Sequence, residues 1–246
     1  MDTYNIFLEY YDKIVRWINS PLEDEVEFLN TLIKKYIKKE NTSISILETA
    51  CGTWTVAKEF EKLWYNIIWL DINPKMLELA KNNLAEENLV LWDMTIFSLE
   101  KSFDVVLCNY NSICHLLTWQ EWQNFFKMSY NHLDKWWMLI FDINTLYEFE
   151  NITRDFAQFY NFWEDTVCLE MFKKTWFYEW IVKIFKKSPD WRYDLITENV
   201  KENSFPTEII KKELKNKWFK ILEMIDFHYW EVNQESERVY FVCEKK

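Results

Sequence analysis

Alternation between short apolar runs and amphipathic segments is the feature that most constrains how this chain of 246 residues folds. From residue 44 onward, apolar runs typical of buried strands occur at 44–50, 66–71, 88–92, 103–109 and 137–143. Helical spacing of apolar residues occurs at 55–63, 74–84 and 119–133. Strands that alternate with helices form a parallel sheet that helices cover on both faces. We therefore predict an α/β fold for this part of the chain.

The start of the chain and its last third depart from this alternation. Helices are predicted at about 4–19 and 22–38. Residues 156–204 are rich in aromatic and β-branched residues, which predicts an antiparallel insertion of three or four strands. After a helix at about 207–217, the segments "FKILEMIDF" and "RVYFVCEK" predict a closing hairpin.

This pattern predicts how the chain is organised. We expect N-terminal helices at 1–40, which belong to the main domain, and a core made of 41–155 and 205–246. The β-rich insertion at 156–204 is expected to lie over the mouth of the sheet, where it would border a second ligand.

Composition narrows the function classes. The net charge of −11 and the isoelectric point near 4.9 argue against a nucleic-acid partner, which favours a basic surface. No apolar run reaches the ~18 residues of a membrane span, and the first residues lack a signal-peptide pattern, so we expect a cytoplasmic protein without a membrane partner. The five cysteines form no C-x-x-C pair and only three histidines accompany them, so we expect reduced thiols and no metal site.

Three groups of residues follow successive predicted strands, at the edge where open α/β sheets bind their ligands. The first is "ETACGTW" (48–54), a loop of the kind that brings its backbone close to a ligand. The second is Asp71, which can accept hydrogen bonds from a ribose diol or, as the alternative, support the helix start at Asn73-Pro74. The third is Asp93 with Met94, where the acid can accept from an adenine amino group or serve as an ordinary turn residue.

These motifs resemble those of the class I S-adenosylmethionine-dependent methyltransferases, and the likeness extends from about Tyr11 to the end of the chain. "LWDM" is similar to the family's motif after strand three, and "LDKWWMLIFDIN" to its "LKPGGxLIFDxN" segment. The family's first motif and its strand-two acid are matched by Glu48, Ala50, Cys51, Gly52, Thr53 and Asp71. The resemblance implies a Rossmann-like, seven-stranded, mostly parallel sheet with helices on both faces, an antiparallel C-terminal hairpin and an antiparallel β insertion.

The resemblance also implies a function and a set of site residues. The implied reaction is transfer of a methyl group from S-adenosylmethionine to a small-molecule acceptor by in-line displacement. The segment "CNYNSICHLL" (108–117) resembles the part that faces the acceptor, and the candidates for orienting the acceptor or taking its proton are Tyr110, Asn111 and His115. The residues expected to bind the cofactor are Tyr11, Glu48, Ala50, Cys51, Gly52, Thr53, Asp71, Ile72, Met76, Asp93, Met94 and Asn109.

Other interpretations of the same residues stay open at this point. His115 is a packing residue in the simplest alternative. The whole chain can be a non-catalytic cofactor-binding or interaction protein that kept the fold. A dehydrogenase or another nucleotide-binding enzyme is the third alternative, but "CGTWTVAKEF" lacks the G-x-G-x-x-G spacing that such enzymes use.

Tryptophan occurs at positions where glycine is expected. The chain has one glycine and 15 tryptophans, whereas glycine makes up about 7% of an average protein. We interpret many of these tryptophans as UGA codons that the source translates as glycine; a chain genuinely rich in tryptophan is the alternative. UGG codons at 54, 64, 136, 137 and 218 would exclude our interpretation. The tryptophans at predicted helix ends, in the turn "SPDWRYD" and in the first motif are Trp64, Trp136, Trp137, Trp218, Trp191 and Trp54.

Overall fold

The computed structural model describes residues 6–18, 22–53, 55–82, 84–153, 157–228 and 231–246, so Trp54 lies outside the described residues. The strands are β1 (Ser45–Thr49), β2 (Asn66–Asp71), β3 (Leu89–Leu91), β4 (Phe103–Cys108), β5 (Leu133–Asn144), β6 (Gln158–Phe162), β7 (Asp165–Lys173), β8 (Tyr178–Lys187), β9 (Tyr193–Glu202), β10 (Phe219–Asp226) and β11 (Arg238–Lys245). The helices are α1 (Leu8–Ile18), α2 (Leu22–Tyr36), α3 (Thr55–Glu61), α4 (Pro74–Ala80), α5 (Trp119–His132), α6 (Leu146–Ile152) and α7 (Thr207–Asn216).

Seven strands form the central sheet, in the order β10-β11-β5-β4-β1-β2-β3. The five strands from β5 to β3 are parallel to one another. The last two strands of the chain are antiparallel, β11 to β5 and β10 to β11. The predicted Rossmann-like sheet with its antiparallel C-terminal hairpin is thus confirmed.

Apolar residues alternate between the two faces of this sheet and form a core on each. On one face, Leu47 and Val106 pack with Trp122 of α5. On the other face, Ile46 and Val105 belong to the cluster that α2 and α3 cover. Since the central strands β1 and β4 are buried on both faces, apolar side chains follow one another along them instead of alternating with polar ones, as at 46–47 and 105–107.

Local sequence explains where the helices that flank the sheet begin. The Asn73 side chain accepts from the Lys75 N–H at 2.9 Å, and Pro74 occupies the first helical position of α4. At α5, Thr118 and Glu121 form a capping box. Among the helices within the described ranges, none has the length and apolarity needed to cross a membrane.

Strand β5 begins earlier than the sequence predicts, at Leu133 instead of residue 137. Leu133 pairs with Phe103, and the pairing then resumes with Met138 opposite Val105. Between these two pairs, β5 has four residues (134–137), whereas β4 has only Asp104. The irregularity on β5 contains Trp136 and Trp137. An extra stretch of this kind is invisible to a pattern of apolar residues.

The predicted insertion is a separate four-stranded antiparallel sheet, β6-β7-β8-β9. One of its faces packs on the N-terminal helix α1, where Tyr10 and Ile14 meet Val167 and Val182 in a third apolar cluster. The Tyr10 hydroxyl also donates to Asp165 at 2.7 Å. The insertion is thereby joined to the start of the chain.

Among the described residues, five tryptophans adopt the left-handed backbone conformation that favours glycine. Their φ angles are 62° at Trp64, 72° at Trp136, 56° at Trp163, 70° at Trp191 and 63° at Trp218. The structure therefore confirms glycine-like backbone geometry at four of the predicted positions and adds Trp163.

Trp137 does not share this geometry. It is an extended residue of β5 that packs partly buried against the core, so the prediction that it occupies a glycine-like position is wrong.

Candidate active site

The carboxyl ends of β1 and β4 meet where the strand order reverses. From β1 the chain runs outward through β2 and β3, whereas β4 and β5 lie on the other side of β1. In open α/β sheets, ligands bind in the crevice at such a point. Glu48 lies near the end of β1 and Asn109 directly follows β4, and the Asn109 N–H approaches Glu48 Oε1 at 3.4 Å.

Glu48 and Asn109 carry buried polar atoms that lack a hydrogen-bond partner among the described residues: Glu48 Oε2, Asn109 Nδ2 and Asn109 Oδ1. Burial raises the pKa of Glu48 to about 8, and the nearby carboxylates of Asp142 and Glu25 act in the same direction. A buried polar group without a partner costs about 1–3 kcal/mol. Three such atoms at a ligand crevice indicate that a polar ligand completes their hydrogen bonding.

The loop after β1 turns sharply beneath this crevice. Ala50 and Gly52 are both left-handed, with φ angles of 59° and 61°. The Cys51 N–H donates to the Leu70 carbonyl at 2.9 Å, which ties the loop to β2. A Cβ atom at Gly52 would meet no atom within 4 Å, so the space in front of this loop is open. The loop thus presents bare backbone to the crevice.

Asp71 fixes the backbone on both sides of the end of β2. Its Oδ2 accepts from the Gly52 N–H and its Oδ1 from the Asn73 N–H, both at 2.7 Å. Burial raises the pKa of this carboxyl. Asp71 therefore supports the start of α4, which is the alternative role that the sequence left open. Each oxygen can accept a second hydrogen bond, so a ligand hydroxyl can also bind there.

The remaining predicted cofactor residues lie farther along the same edge of the sheet. Asp93 Oδ1 accepts from the Thr95 N–H at 2.7 Å, the arrangement of a turn acid. Met76 and Met94 are buried, whereas Ile72 is 55% exposed although it is apolar. The exposed Ile72 side chain offers apolar surface on which a flat ring can pack.

The segment after β4 holds two consecutive left-handed residues, Tyr110 and Asn111, with φ angles of 55° and 46°. The Asn111 N–H donates to Asp142 Oδ2 at 2.7 Å, which holds the segment against β5. The Tyr110 hydroxyl is buried without a hydrogen-bond partner among the described residues. Burial raises its pKa, so this hydroxyl is neutral and can donate to a ligand.

A buried ion network, which the sequence motifs do not predict, supports this segment. Arg238 Nε lies 2.6 Å from Asp142 Oδ2, and Arg238 Nη2 lies 2.6 Å from Glu25 Oε1. The Tyr240 hydroxyl donates to the same Glu25 oxygen at 2.6 Å. Burial raises the pKa of Asp142 to about 6, although the guanidinium opposes this effect. The one sequence feature that could have indicated this network is Asp142, an acid that follows the apolar run "MLIF" within β5.

His115 faces the insertion. Its Nε2 lies 3.8 Å from Oε1 of Glu202, the last residue of β9. The Trp180 indole donates to the other Glu202 oxygen at 3.0 Å. The backbone of the next residue, Asn203, donates to the Cys114 carbonyl at 2.7 Å. The end of the insertion is therefore bonded to the segment that contains His115.

A cavity of about 440 Å³ separates the edge of the central sheet from the insertion. Its size falls within the range of about 300–1,000 Å³ that is usual for small-molecule sites. Three of its walls come from α1, from the segment after β4 and from the insertion. Among its lining residues are Tyr11, Tyr110, Asn111, His115, Trp180 and Glu202.

Comparison with known proteins agrees with this geometry. Residues 46–135 match the family model described as a methyltransferase domain. A protein of Geobacillus sp. (strain WCH70) assigned as a methyltransferase is 24% identical over 250 residues, which cover 99% of this chain and 100% of that protein. The crystal structure of an S-adenosylmethionine-dependent methyltransferase from Clostridium acetobutylicum ATCC 824 superposes with a TM-score of 0.83 at 22% identity, covering 98% of each chain.

These matches support a class I S-adenosylmethionine-dependent methyltransferase, the family that the sequence motifs resemble. A partial match is the dTDP-3-amino-3,6-dideoxy-alpha-D-glucopyranose N,N-dimethyltransferase of Streptomyces fradiae, which is 28% identical over 108 residues, or 44% of this chain and 41% of that protein. S-adenosylmethionine is the cofactor of this methyltransferase. The unpartnered atoms of Glu48 and Asn109 fit it, because its methionine end carries both donors and acceptors.

The structure brings the predicted site residues into two groups. Tyr110, Asn111 and His115 share the cavity with Tyr11, which reaches it from α1. The other predicted residues lie at the ends of β1, β2, β3 and β4 or in the segments that follow these strands: Glu48, Ala50, Cys51, Gly52, Thr53, Asp71, Ile72, Met76, Asp93, Met94 and Asn109. Glu48 and Asn109 lie where the strand order reverses, and Asn109 directly precedes Tyr110 and Asn111 in the chain.

Proposed function

We propose that this methyltransferase transfers a methyl group to a small-molecule acceptor held in the cavity between the central sheet and the insertion. The cavity itself carries this proposal, because about 440 Å³ suits a small molecule and its lining comes from separate parts of the fold. The Streptomyces fradiae relative acts on an amino sugar nucleotide, as its name says, which favours a small acceptor here too.

In this proposal the edge of the sheet holds the cofactor. Glu48, Asn109 and the backbone of 50–53 bind the methionine end, and Tyr11 contacts it from above. Asp71 accepts from the ribose hydroxyls through the lone pairs that its backbone bonds leave open. Ile72, Met76, Asp93 and Met94 surround the adenine.

S-adenosylmethionine supplies a methyl group on a positively charged sulfur, so the electrophile needs no further activation. The protein's own part is to align the acceptor and to keep water away. Tyr110 and Asn111 orient the acceptor, and the left-handed backbone that Asp142 fixes sets their direction. His115 takes the acceptor's proton where one must leave. Residues 156–204 form the far wall of the acceptor site.

Cofactor binding is the first test. S-adenosylmethionine at 100 times its dissociation constant should stabilise the fold by about 2.7 kcal/mol, which corresponds to a rise in Tm of roughly 5–11 °C for a chain of this size. An unchanged Tm would contradict the proposed cofactor site.

The acceptor class is the second test. The protein is incubated with cofactor that carries a labelled methyl group and with a cell extract, and the products are separated by ultrafiltration. We expect the label to pass the membrane with the small molecules. Label that stays with the retained protein or nucleic acid would refute a small-molecule acceptor while leaving the cofactor site intact.

A further inference from the structure

Glu202 is a carboxylate buried in the wall of the proposed acceptor cavity. Its side chain is 8% exposed, and it ends β9. The Trp180 indole holds one oxygen at 3.0 Å, and the other oxygen lies 3.8 Å from His115 Nε2. A buried carboxylate is costly unless donors or a positive charge surround it. The side chain is thus held in one orientation beside the cavity.

The charges around the cavity favour a cationic guest. Glu148 and Glu237 line it together with Glu202, and the described lining residues include no lysine. Arg238 lines it too, but its charge is balanced by Glu25 and Asp142 at 2.6 Å. An acceptor that carries a carboxylate would meet like charges, whereas an ammonium group would be attracted.

We propose that the acceptor is a small molecule with an amine, and that Glu202 binds this amine and selects it. The inference rests on the proposed small-molecule function and adds the chemical class of the acceptor. A charge-assisted hydrogen bond between an ammonium and a buried carboxylate is about twice as strong as a neutral one. Glu202 therefore gives an amine an advantage over a hydroxyl group of the same shape.

The reaction step follows from this arrangement. An ammonium nitrogen has no lone pair, so it must first lose one proton, and His115 Nε2 is placed beside Glu202 to take it. The neutral nitrogen then forms a bond to the methyl carbon while the carbon–sulfur bond breaks and leaves its electron pair on sulfur. The sulfur becomes a neutral thioether, and the methylated nitrogen carries the positive charge, which Glu202 stabilises.

The test compares amines with their hydroxyl and carboxylate counterparts. Glucosamine and ethanolamine are the amine probes, glucose and ethylene glycol the hydroxyl probes, and malonate the carboxylate probe. Release of S-adenosylhomocysteine is measured for each. We expect kcat/KM for at least one amine to exceed that of its hydroxyl counterpart by about tenfold or more.

Variants link this preference to Glu202. Glu202→Gln should lower kcat/KM for the amine by about 10- to 100-fold, mainly through KM, while Glu202→Asp should retain most of the preference. Glu179→Gln is the matched control, because Glu179 is also a shielded carboxylate of the insertion but pairs with Lys174 at 3.1 Å. The Tm rise with S-adenosylhomocysteine confirms that each variant is folded.

The outcomes separate the two proposals. A preference for amines that survives Glu202→Gln overturns the role of Glu202, and a panel in which no amine reacts overturns the amine acceptor. Transfer to hydroxyl or carboxylate probes alone also overturns it but leaves the small-molecule function standing. Transfer only to macromolecules refutes both.

Discussion

Replacing the left-handed tryptophans by glycine is the perturbation with the clearest physical expectation. Trp64, Trp136, Trp191 and Trp218 all have φ between 62° and 72°. Their side chains are between 60% and 79% exposed, so their removal uncovers little of the core. Each truncation therefore mainly changes the strain of the backbone.

The magnitude follows from two opposing effects. A residue with a Cβ atom pays about 1–2 kcal/mol in the left-handed region, which glycine avoids. Glycine loses about 0.4–1 kcal/mol more backbone entropy on folding. The net gain is about 0.5–1 kcal/mol for each site, or about 2–4 kcal/mol for the four together. In a chain of this size, such a gain raises Tm by roughly 4–16 °C.

Trp64→Gly is the cleanest single variant, because Trp191 also stacks near the Lys187 ammonium at 4.0 Å and Trp136 near that of Lys135 at 5.1 Å. Such exposed contacts are worth about 0.5–1 kcal/mol and would mask part of the gain. Free energies of unfolding are measured by urea denaturation, singly and in the quadruple variant.

Trp176→Gly is the matched control. Trp176 is 56% exposed and lies in a turn, but its φ is not positive. Here glycine should destabilise the fold by about 0.4–1 kcal/mol. If the four left-handed sites lose as much stability as Trp176 does, the reasoning about backbone strain is refuted.

The same geometry sharpens the codon interpretation. Genuine tryptophan at five left-handed positions would add up to a backbone strain comparable with the free energy of unfolding of a whole domain, ~5–15 kcal/mol. We therefore expect UGA codons at 64, 136, 163, 191 and 218, and glycine at these positions in the mass spectrum of the natural protein. UGG codons there would refute this expectation without affecting the measured effect of the variants.

Three further perturbations test the site. Since burial raises the pKa of Glu48 from 4.5 to about 8, the folded apoprotein holds this proton more tightly than the unfolded chain; its stabilising contribution is present below pH 4.5 and is lost as the pH rises through 8. Glu48→Gln should flatten this decline in urea denaturation between pH 5 and 8, and an unchanged slope would exclude Glu48 as its source. Gly52→Ala should destabilise the fold by about 1 kcal/mol or more, because its φ of 61° disfavours a residue with a Cβ atom. An added Cβ would meet no atom within 4 Å, so this cost comes from the backbone alone. A neutral effect in the same assay would contradict a left-handed loop. Arg238→Ala should cost about 3–5 kcal/mol because it leaves two buried carboxylates unpaired. Arg192→Ala, which removes an exposed partner of Asp190, should change stability by less than about 1 kcal/mol, and equal losses would argue against the buried network.

The sequence predicts the elements of this fold well where the signal is local. Strand and helix alternation follows from the spacing of apolar residues, and α4 begins at Asn73-Pro74 as predicted. The loop at 48–53 and Asp71 could be placed at one edge because parallel strands bring their carboxyl ends together. The early start of β5 could not be predicted, since it depends on pairing with β4.

The parts of the candidate site that the sequence does not predict are contacts between residues far apart in the chain. Arg238 and Glu25 are 213 positions apart, and Glu202 meets His115 only because the insertion folds back over the sheet. Each of these residues is a single charge in its own segment. Nothing within a short window distinguishes it from a solvated charge.

A rule about buried charge predicts some of these distant contacts once the strand pairing is known. A charged residue inside an apolar strand needs a partner of opposite charge, so Asp142 in "MLIFDIN" and Arg238 at the start of "RVYFVC" each require one. Once β5 and β11 are known to be antiparallel neighbours, the register places Tyr240 opposite Asp142 and Arg238 two residues away on the same face of β11. The ion pair, and with it the support of the segment that carries Tyr110 and Asn111, then follows from strand order and register. The pairing of strands is thus the step at which this methyltransferase's site becomes predictable.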